Sequence, residues 1–209
     1  RQWSRGLGDV YKRQVFAVLN KEYNEVWWFY PAESDGTKEI SRYVIYNYLE
    51  KVWSIGQLVR TAWVDQNVFT RPLATASNYI FNQEDGDDDD GSPMDGVFIE
   101  SADFDLQDGN SFAFIRRMIP DVKFYGTNVD SGVPQINMLL KTRNAPSESL
   151  TTRATKDISN NTDQVHVRAR GRQAVLRLQS DDDAAVDNRT GYKWRLGFTR
   201  LDIQPDGRR

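Results

Sequence analysis

Short runs rich in Val, Ile, Tyr, Phe and Trp alternate along this chain with clusters of Gly, Pro, Asn, Asp and Ser. That alternation predicts antiparallel sheet, because β-branched and aromatic side chains suit a pleated surface and the small polar residues suit turns. Residues 15–19 and 25–30 read as strands around a polar turn at 20–24, after which Pro31 and Ser34-Asp35-Gly36 break the chain. Residues 41–48 and 52–58 resume the sheet around a turn at 49–51. Strands of this number and spacing match the size of one β-propeller blade. Within 38–55, Ile40, Tyr43, Val44 and Tyr48 also lie near helical spacing. The run Tyr43-Val44-Ile45-Tyr46-Asn47-Tyr48 is β-branched and aromatic, however, which a lone helix disfavours, so strand is the reading taken.

A second, less regular unit follows, with strands expected at 61–65, 68–71 and 78–83. Glu84-Asp85-Gly86-Asp87-Asp88-Asp89-Asp90-Gly91-Ser92-Pro93 then marks the strongest change of composition. Like charges stacked in sequence with Gly and Pro predict an exposed loop and a boundary between two halves. Beyond it, 96–106 and 111–124 read as long strands joined through Gln107-Asp108-Gly109-Asn110, an Asp-Gly hairpin signal. Residues 136–142, 164–179 and 192–203 continue the sheet, while the polar stretch 143–163 predicts a long loop or flap. The expected class is all-β: propeller-like antiparallel blades followed by a second antiparallel sheet or sandwich. The expected domains are a partial propeller-like region at 15–83, an acidic linker loop at 84–95 and a C-terminal β-domain at 96–209. Gly6-Leu7-Gly8-Asp9-Val10-Tyr11-Lys12-Arg13-Gln14 looks like translated library-adapter sequence. Residues 1–14 are therefore expected to be a leader foreign to the fold, and the remainder the C-terminal part of a longer protein.

Composition narrows the chemistry. The 209 residues include 6 Trp, 9 Tyr and 10 Phe, enough large anchors for a core. Cysteine is absent, which removes disulfides, thiolate metal sites and cysteine nucleophiles, and the single histidine, His166, leaves a multi-histidine metal site without parts. No apolar run approaches the length that spans a bilayer, so no membrane insertion is expected. The balance of 27 basic against 30 acidic residues gives a net charge of −3, which does not suit a general DNA-coating protein. The aspartate runs at 87–90 and 181–183 offer ligands of the type Ca²⁺ takes, yet neither follows an EF-hand loop, and solvated loops are the reading taken. Carboxylate pairs suffice for glycoside hydrolysis, but so many acids guarantee pairs by chance. Trp27, Trp28, Trp53, Trp63 and Trp194 lie in strand-like contexts, where packing into a core is the default. No motif for catalysis, cofactor or metal emerges.

One segment displays charge in a pattern. In 164–179, Val165, Val167 and Ala169 share one parity while His166, Arg168, Arg170 and Arg172 share the other. Beyond Gly171 the apolar parity passes to Ala174, Leu176 and Leu178, which predicts a bulge or sharp bend at the glycine. The result is a basic ridge, His166, Arg168, Arg170 and Arg172, open to three uses: pairing with nearby carboxylates, contact with another subunit, or contact with nucleic-acid phosphate.

Several ordered blocks resemble the C-terminal part of podophage tail nozzle proteins, the tail tubular protein B-like family. They are Glu25-Val26-Trp27-Trp28-Phe29-Tyr30-Pro31, the run 43–48 with Val52-Trp53-Ser54-Ile55-Gly56, and Arg60-Thr61-Ala62-Trp63. Phe98-Ile99-Glu100-Ser101, Phe114-Ile115-Arg116-Arg117-Met118-Ile119-Pro120-Asp121 and Leu139-Leu140-Lys141-Thr142-Arg143 continue the likeness. The closing stretch 194–209, ending Asp206-Gly207-Arg208-Arg209, is its most specific piece. The resemblance implies a structural subunit of the virion tail, made in the bacterial host cytoplasm and assembled as a hexameric ring that continues the genome-ejection channel. It implies contacts with the tail adaptor and with fibres or spikes, transient passage of double-stranded DNA without specific binding, no cofactor and no enzymatic activity. The ridge at His166, Arg168, Arg170 and Arg172 becomes a candidate subunit interface. The alternative is a glycan-binding or adhesin β-domain on a virion or cell surface, which exposed coplanar aromatic rings would favour.

Overall fold

A computed structural model describes residues 15–36, 39–67, 69–94, 96–106, 110–126, 136–180 and 192–207. The leader at 1–14, the aspartates at 181–183 and the Asp-Gly signal at 108–109 lie outside the described residues. The chain divides into two compact units, 1–85 and 86–209.

In the first unit, β1 (Phe16–Asn20), β2 (Glu25–Tyr30), β3 (Arg42–Asn47) and β4 (Val52–Gln57) form an antiparallel sheet in sequence order. The arbitration over 38–55 resolves as two strands, with Trp27 opposite Ile45 and Tyr46 opposite Trp53. The β3–β4 turn is held by Asn47, whose Oδ1 accepts hydrogen bonds from the backbone N–H groups of Leu49 (3.1 Å) and Glu50 (2.9 Å). Alternation sends Trp27, Phe29 and Ile45 into an aromatic core joined by Phe16, Tyr43 and Trp63. Tyr43 lies across Gly56, where a Cβ would come within 2.2 Å of the phenol oxygen, so only glycine fits beneath that ring.

A second antiparallel sheet consists of β5 (Ala62–Val64), β6 (Leu73–Ala76) and β7 (Tyr79–Asn82). Its middle strand is not the expected 68–71, of which 69–71 lie outside any strand. The inward residues of β6 are Ala74 and Ala76, too small to stand out in a hydrophobic pattern. Ser77 and Asn78 turn the chain with φ of 49° and 68°, the left-handed pair that suits a two-residue hairpin.

The second unit contains β8 (Phe98–Glu100), β9 (Phe104–Asp105), β10 (Ala113–Ile119), β11 (Val122–Gly126), β12 (Ile136–Arg143), β13 (Thr151–Ile158), β14 (Val165–Gly171), β15 (Gln173–Ser180), β16 (Tyr192–Leu196) and β17 (Arg200–Pro205). One sheet runs β14-β10-β17, a second runs β13-β12-β15-β8 with β9 also on β15, and β11 pairs with β16. Inward residues of both larger sheets, among them Ile115, Met118, Ile136, Met138, Leu140, Val167 and Leu178, meet in one apolar cluster.

Several expectations need correction here. The long strand at 96–106 is two short ones, both on β15, separated where the Ser101 side chain and backbone replace ladder bonds to Leu176. The strand at 111–124 divides at Pro120, which cannot donate a ladder bond. The two regions flanking Asp-Gly do not pair with each other: β9 joins β15, whereas β10 joins β14 and β17. The flap expected at 143–163 contains β13, an edge strand exposed along most of its length, which is why it lacks an apolar stripe. The run 192–203 is likewise two strands with different partners. The phase switch at Gly171 is a bend, and it carries the chain from one sheet (β14) to the other (β15).

Candidate functional site

The ridge sits where its parity placed it. Along β14 the inward residues Val165, Val167, Ala169 and Gly171 are buried, and His166, Arg168 and Arg170 are exposed. The four ridge residues then separate into two pairs. Arg170 makes an ion pair with Asp206 and places its guanidinium 3.8 Å from the centre of the Phe112 ring, and Arg172 lies 4.8 Å from the same ring. These are intramolecular cation–π contacts that fix the end of the ridge.

His166 and Arg168 instead face a groove of about 920 Å³, which they line with Phe114 and Arg116 of β10 and with Arg153 and Lys156 of β13. Two of these cations owe their aim to irregularities in the ladders. The register of β10 slips between Ile115 and Arg117, leaving Arg116 as the extra residue against β17. The register of β12 with β13 slips between Leu140 and Lys141, leaving Arg153 as the extra residue of β13. A bulge redirects the side chain that it inserts, and here two separate bulges deliver two arginines to one groove.

Thr142 holds this arrangement from beneath. It is fully buried at the end of β12, donates from Oγ1 to the Arg170 carbonyl (2.9 Å) and accepts from Arg153 Nε (3.2 Å). It also packs against Gly171, where an added Cβ would lie 2.7 Å from the threonine Cβ. Arg116 pairs with Asp202 across the sheet at 3.1 Å. Among the described residues, the side chains of Lys156, His166 and Arg168 make no hydrogen bond or ion pair, and the groove lining contains no carboxylate. The arrangement suits an anionic group.

Arg153 and Lys156 were missed in the sequence because β13 looked like loop, and Arg116 because its bulge exists only in the register with β17. The signal that could have found β13 was the threonine-rich alternation Thr151-Thr152-Arg153-Ala154-Thr155-Lys156, typical of a solvated edge strand.

The first unit holds two other features. Burial raises the Glu25 carboxyl above the ordinary range, against a hydrogen bond from Trp27 Nε1 (2.8 Å) that favours its charged form. Burial and the charge of Glu25 raise Glu84, which accepts from Asn20 Nδ2 at 3.0 Å. On the outer face of β2–β4, Trp28 stacks on Trp53 with ring centres 5.8 Å apart, and Tyr46 meets Trp53 at 4.6 Å. Trp53 is 64% exposed and Ile55 76%, so the expectation that every strand tryptophan packs into a core fails at Trp53. The reason is parity: Trp53 shares the face of Trp28 and Tyr46, opposite to that of Trp27.

Among the described residues, no group of three or more His, Asp or Glu side chains is gathered to hold a metal ion. Among them, too, no helix is long and apolar enough to cross a membrane. Neither protein-family models nor curated proteins yield a match to this chain.

Proposed function

We propose that this chain is a structural subunit of a short-tailed phage tail nozzle, part of a ring around the genome-ejection channel and a platform for fibres or spikes. The observation that supports the reading is how the closing block, the most specific piece of the likeness, meets another of the resembling blocks. The block 114–121 contributes β10 and the closing block 194–209 contributes β17, and these strands pair with Ile115 opposite Ile203 and Phe114 opposite Gln204. In this reading the first-unit sheets are blades of a propeller, and the uncovered aromatic face of β2–β4 is where a further blade or subunit packs. The chain performs no reaction and uses no cofactor. It meets the tail adaptor and spike proteins, and a channel wall without net positive charge lets DNA pass without gripping it.

Particle imaging and native mass measurement, on this chain and on any longer gene product that contains it, test the reading. A closed hexameric ring is the expected result, and a strictly monomeric particle that binds oligosaccharide overturns it. The second reading, a glycan-binding β-domain, is favoured by one observation, the exposed Trp53 ring stacked on Trp28. Oligosaccharide binding abolished by Trp53→Ala would select it.

A further inference from the structure

We propose that the groove between β13 and the β10–β14 pair receives the acidic hairpin tip around Asp89 and Asp90 of a second copy of this chain. The proposal takes its occupant from the ring reading, since head-to-tail contacts between identical copies close into rings.

The receptor side rests on the two bulges, which bring Arg116 and Arg153 to the same groove as Lys156, Arg168 and His166. Arg116 is partly offset by Asp202, but Arg153, Lys156 and Arg168 meet no carboxylate among the described lining residues, and that charge calls for an anionic partner. Phe114 adds an apolar surface for the partner's backbone.

The occupant is a preformed knob. Asp89 and Ser92 exchange both backbone hydrogen bonds, at 2.8 and 2.9 Å. Between them, Asp90 and Gly91 have φ of 51° and 82°, so the tip is a two-residue turn of the left-handed kind. Asp88 Oδ1 accepts from the Gly91 N–H at 3.0 Å and secures it. The flanking carboxylates are engaged, Asp85 with Arg71 (3.2 Å) and Asp87 with Lys193 (3.0 Å). Asp89 and Asp90 are exposed and make no ion pair with any described residue. A tip already ordered loses little entropy on docking.

Two observations argue against other occupants. The Asp87–Lys193 pair anchors the tip beside β16, and no residue of the tip lines the groove of its own chain. A nucleic-acid backbone needs a continuous track of cations, whereas the ridge is interrupted at Arg170 and Arg172, which are occupied by Asp206 and Phe112. The cations left over are few and local, which matches a compact diacidic tip.

The test is direct binding of a labelled peptide spanning residues 84–94 to the intact 209-residue chain, read by fluorescence anisotropy across a salt series. We expect salt-sensitive binding that weakens about tenfold or more in the Lys156→Glu/Arg168→Glu double variant, and equally when the peptide carries Asn at both tip aspartates. Both groove residues are solvent-facing, and an unchanged melting temperature for that variant and for Lys156→Ala/Arg168→Ala excludes misfolding. Absence of peptide binding, or binding indifferent to both sets of substitutions, overturns the proposal. So does a short DNA duplex that binds with the same dependence on Lys156 and Arg168 where the peptide does not. A ring seen by imaging without peptide binding discards the groove and keeps the nozzle. Peptide binding without a ring keeps the contact and discards the nozzle.

Discussion

Glu84 is one of the side chains that shape the pH response of the first unit. Burial first, and repulsion from Glu25 second, raise its carboxyl above the unfolded value, so the folded chain retains a proton that the unfolded chain has already released. The Glu84 contribution to stability therefore rises as pH falls from neutrality toward the ordinary glutamate value of about 4.3. Glu84→Gln keeps an acceptor for Asn20 Nδ2 while removing the charge. It should stabilise the chain near neutral pH and flatten the stability slope between about pH 7 and 5, measured by urea unfolding at each pH. Asp35 carries the opposite sign: bonds from the Arg42 guanidinium, at 2.9 and 2.6 Å, hold its carboxyl well below the usual range. Its contribution is present at neutral pH and disappears only in acid below the ordinary aspartate range.

At the scale of elements, the bend between β14 and β15 determines what surrounds it. Gly171 has no room for a methyl group against Thr142 and the Arg143 carbonyl, the latter 3.3 Å from where a Cβ would stand. Gly171→Ala should cost about 1–3 kcal/mol in chemical unfolding through overpacking. Thr142→Val, nearly the same volume, should cost a similar amount, about 1–3 kcal/mol, by leaving the Arg170 carbonyl and the Arg153 Nε–H without their partner. This bend was legible in the sequence, because a strand that keeps one face buried can change its apolar parity at a glycine only by bulging, bending or ending there. The ridge at His166, Arg168 and Arg170 was legible for the same reason. The groove was not, since Arg116 and Arg153 reach it through bulges, and a bulge is defined by the partner strand's register. Pairings such as β10 with β17 were also hidden, because alternation fixes which face a strand buries and says nothing of which strand lies beside it. β13 escaped notice because an edge strand wetted on both faces has no apolar stripe to detect.

For the whole molecule, the decisive property is uncovered apolar surface on the first unit. Trp53 and Ile55 stand largely in solvent on the face shared with Trp28 and Tyr46. A patch of this kind drives association. Trp53→Ser/Ile55→Thr should therefore reduce dye binding and concentration-dependent aggregation of the chain, followed by light scattering, with little change in melting temperature. Unchanged scattering would mean that the face is not adhesive and would remove one support for a missing neighbour. The charge of the molecule acts differently. Among the described residues several cations are matched within the fold, Arg143 with Asp103 and Lys141 with Glu100 among them, and with a net charge of −3 the chain's long-range attraction to polyanions is weak.

The pairing of β10 with β17 also has a consequence in time. Met118 lies opposite Leu201, and Ala113 opposite Pro205, partners separated by more than eighty residues of intervening chain. The first-unit sheets, by contrast, join strands that are neighbours in sequence and need only short loops to close. During synthesis the meanders can form as they emerge, while β10 waits with an open edge for β17 to leave the ribosome. At roughly 5–20 residues per second that wait lasts for seconds, long compared with hairpin formation. β17 is thus the latch of this sheet, and until residues 200–205 are in place β10 keeps one edge unpaired.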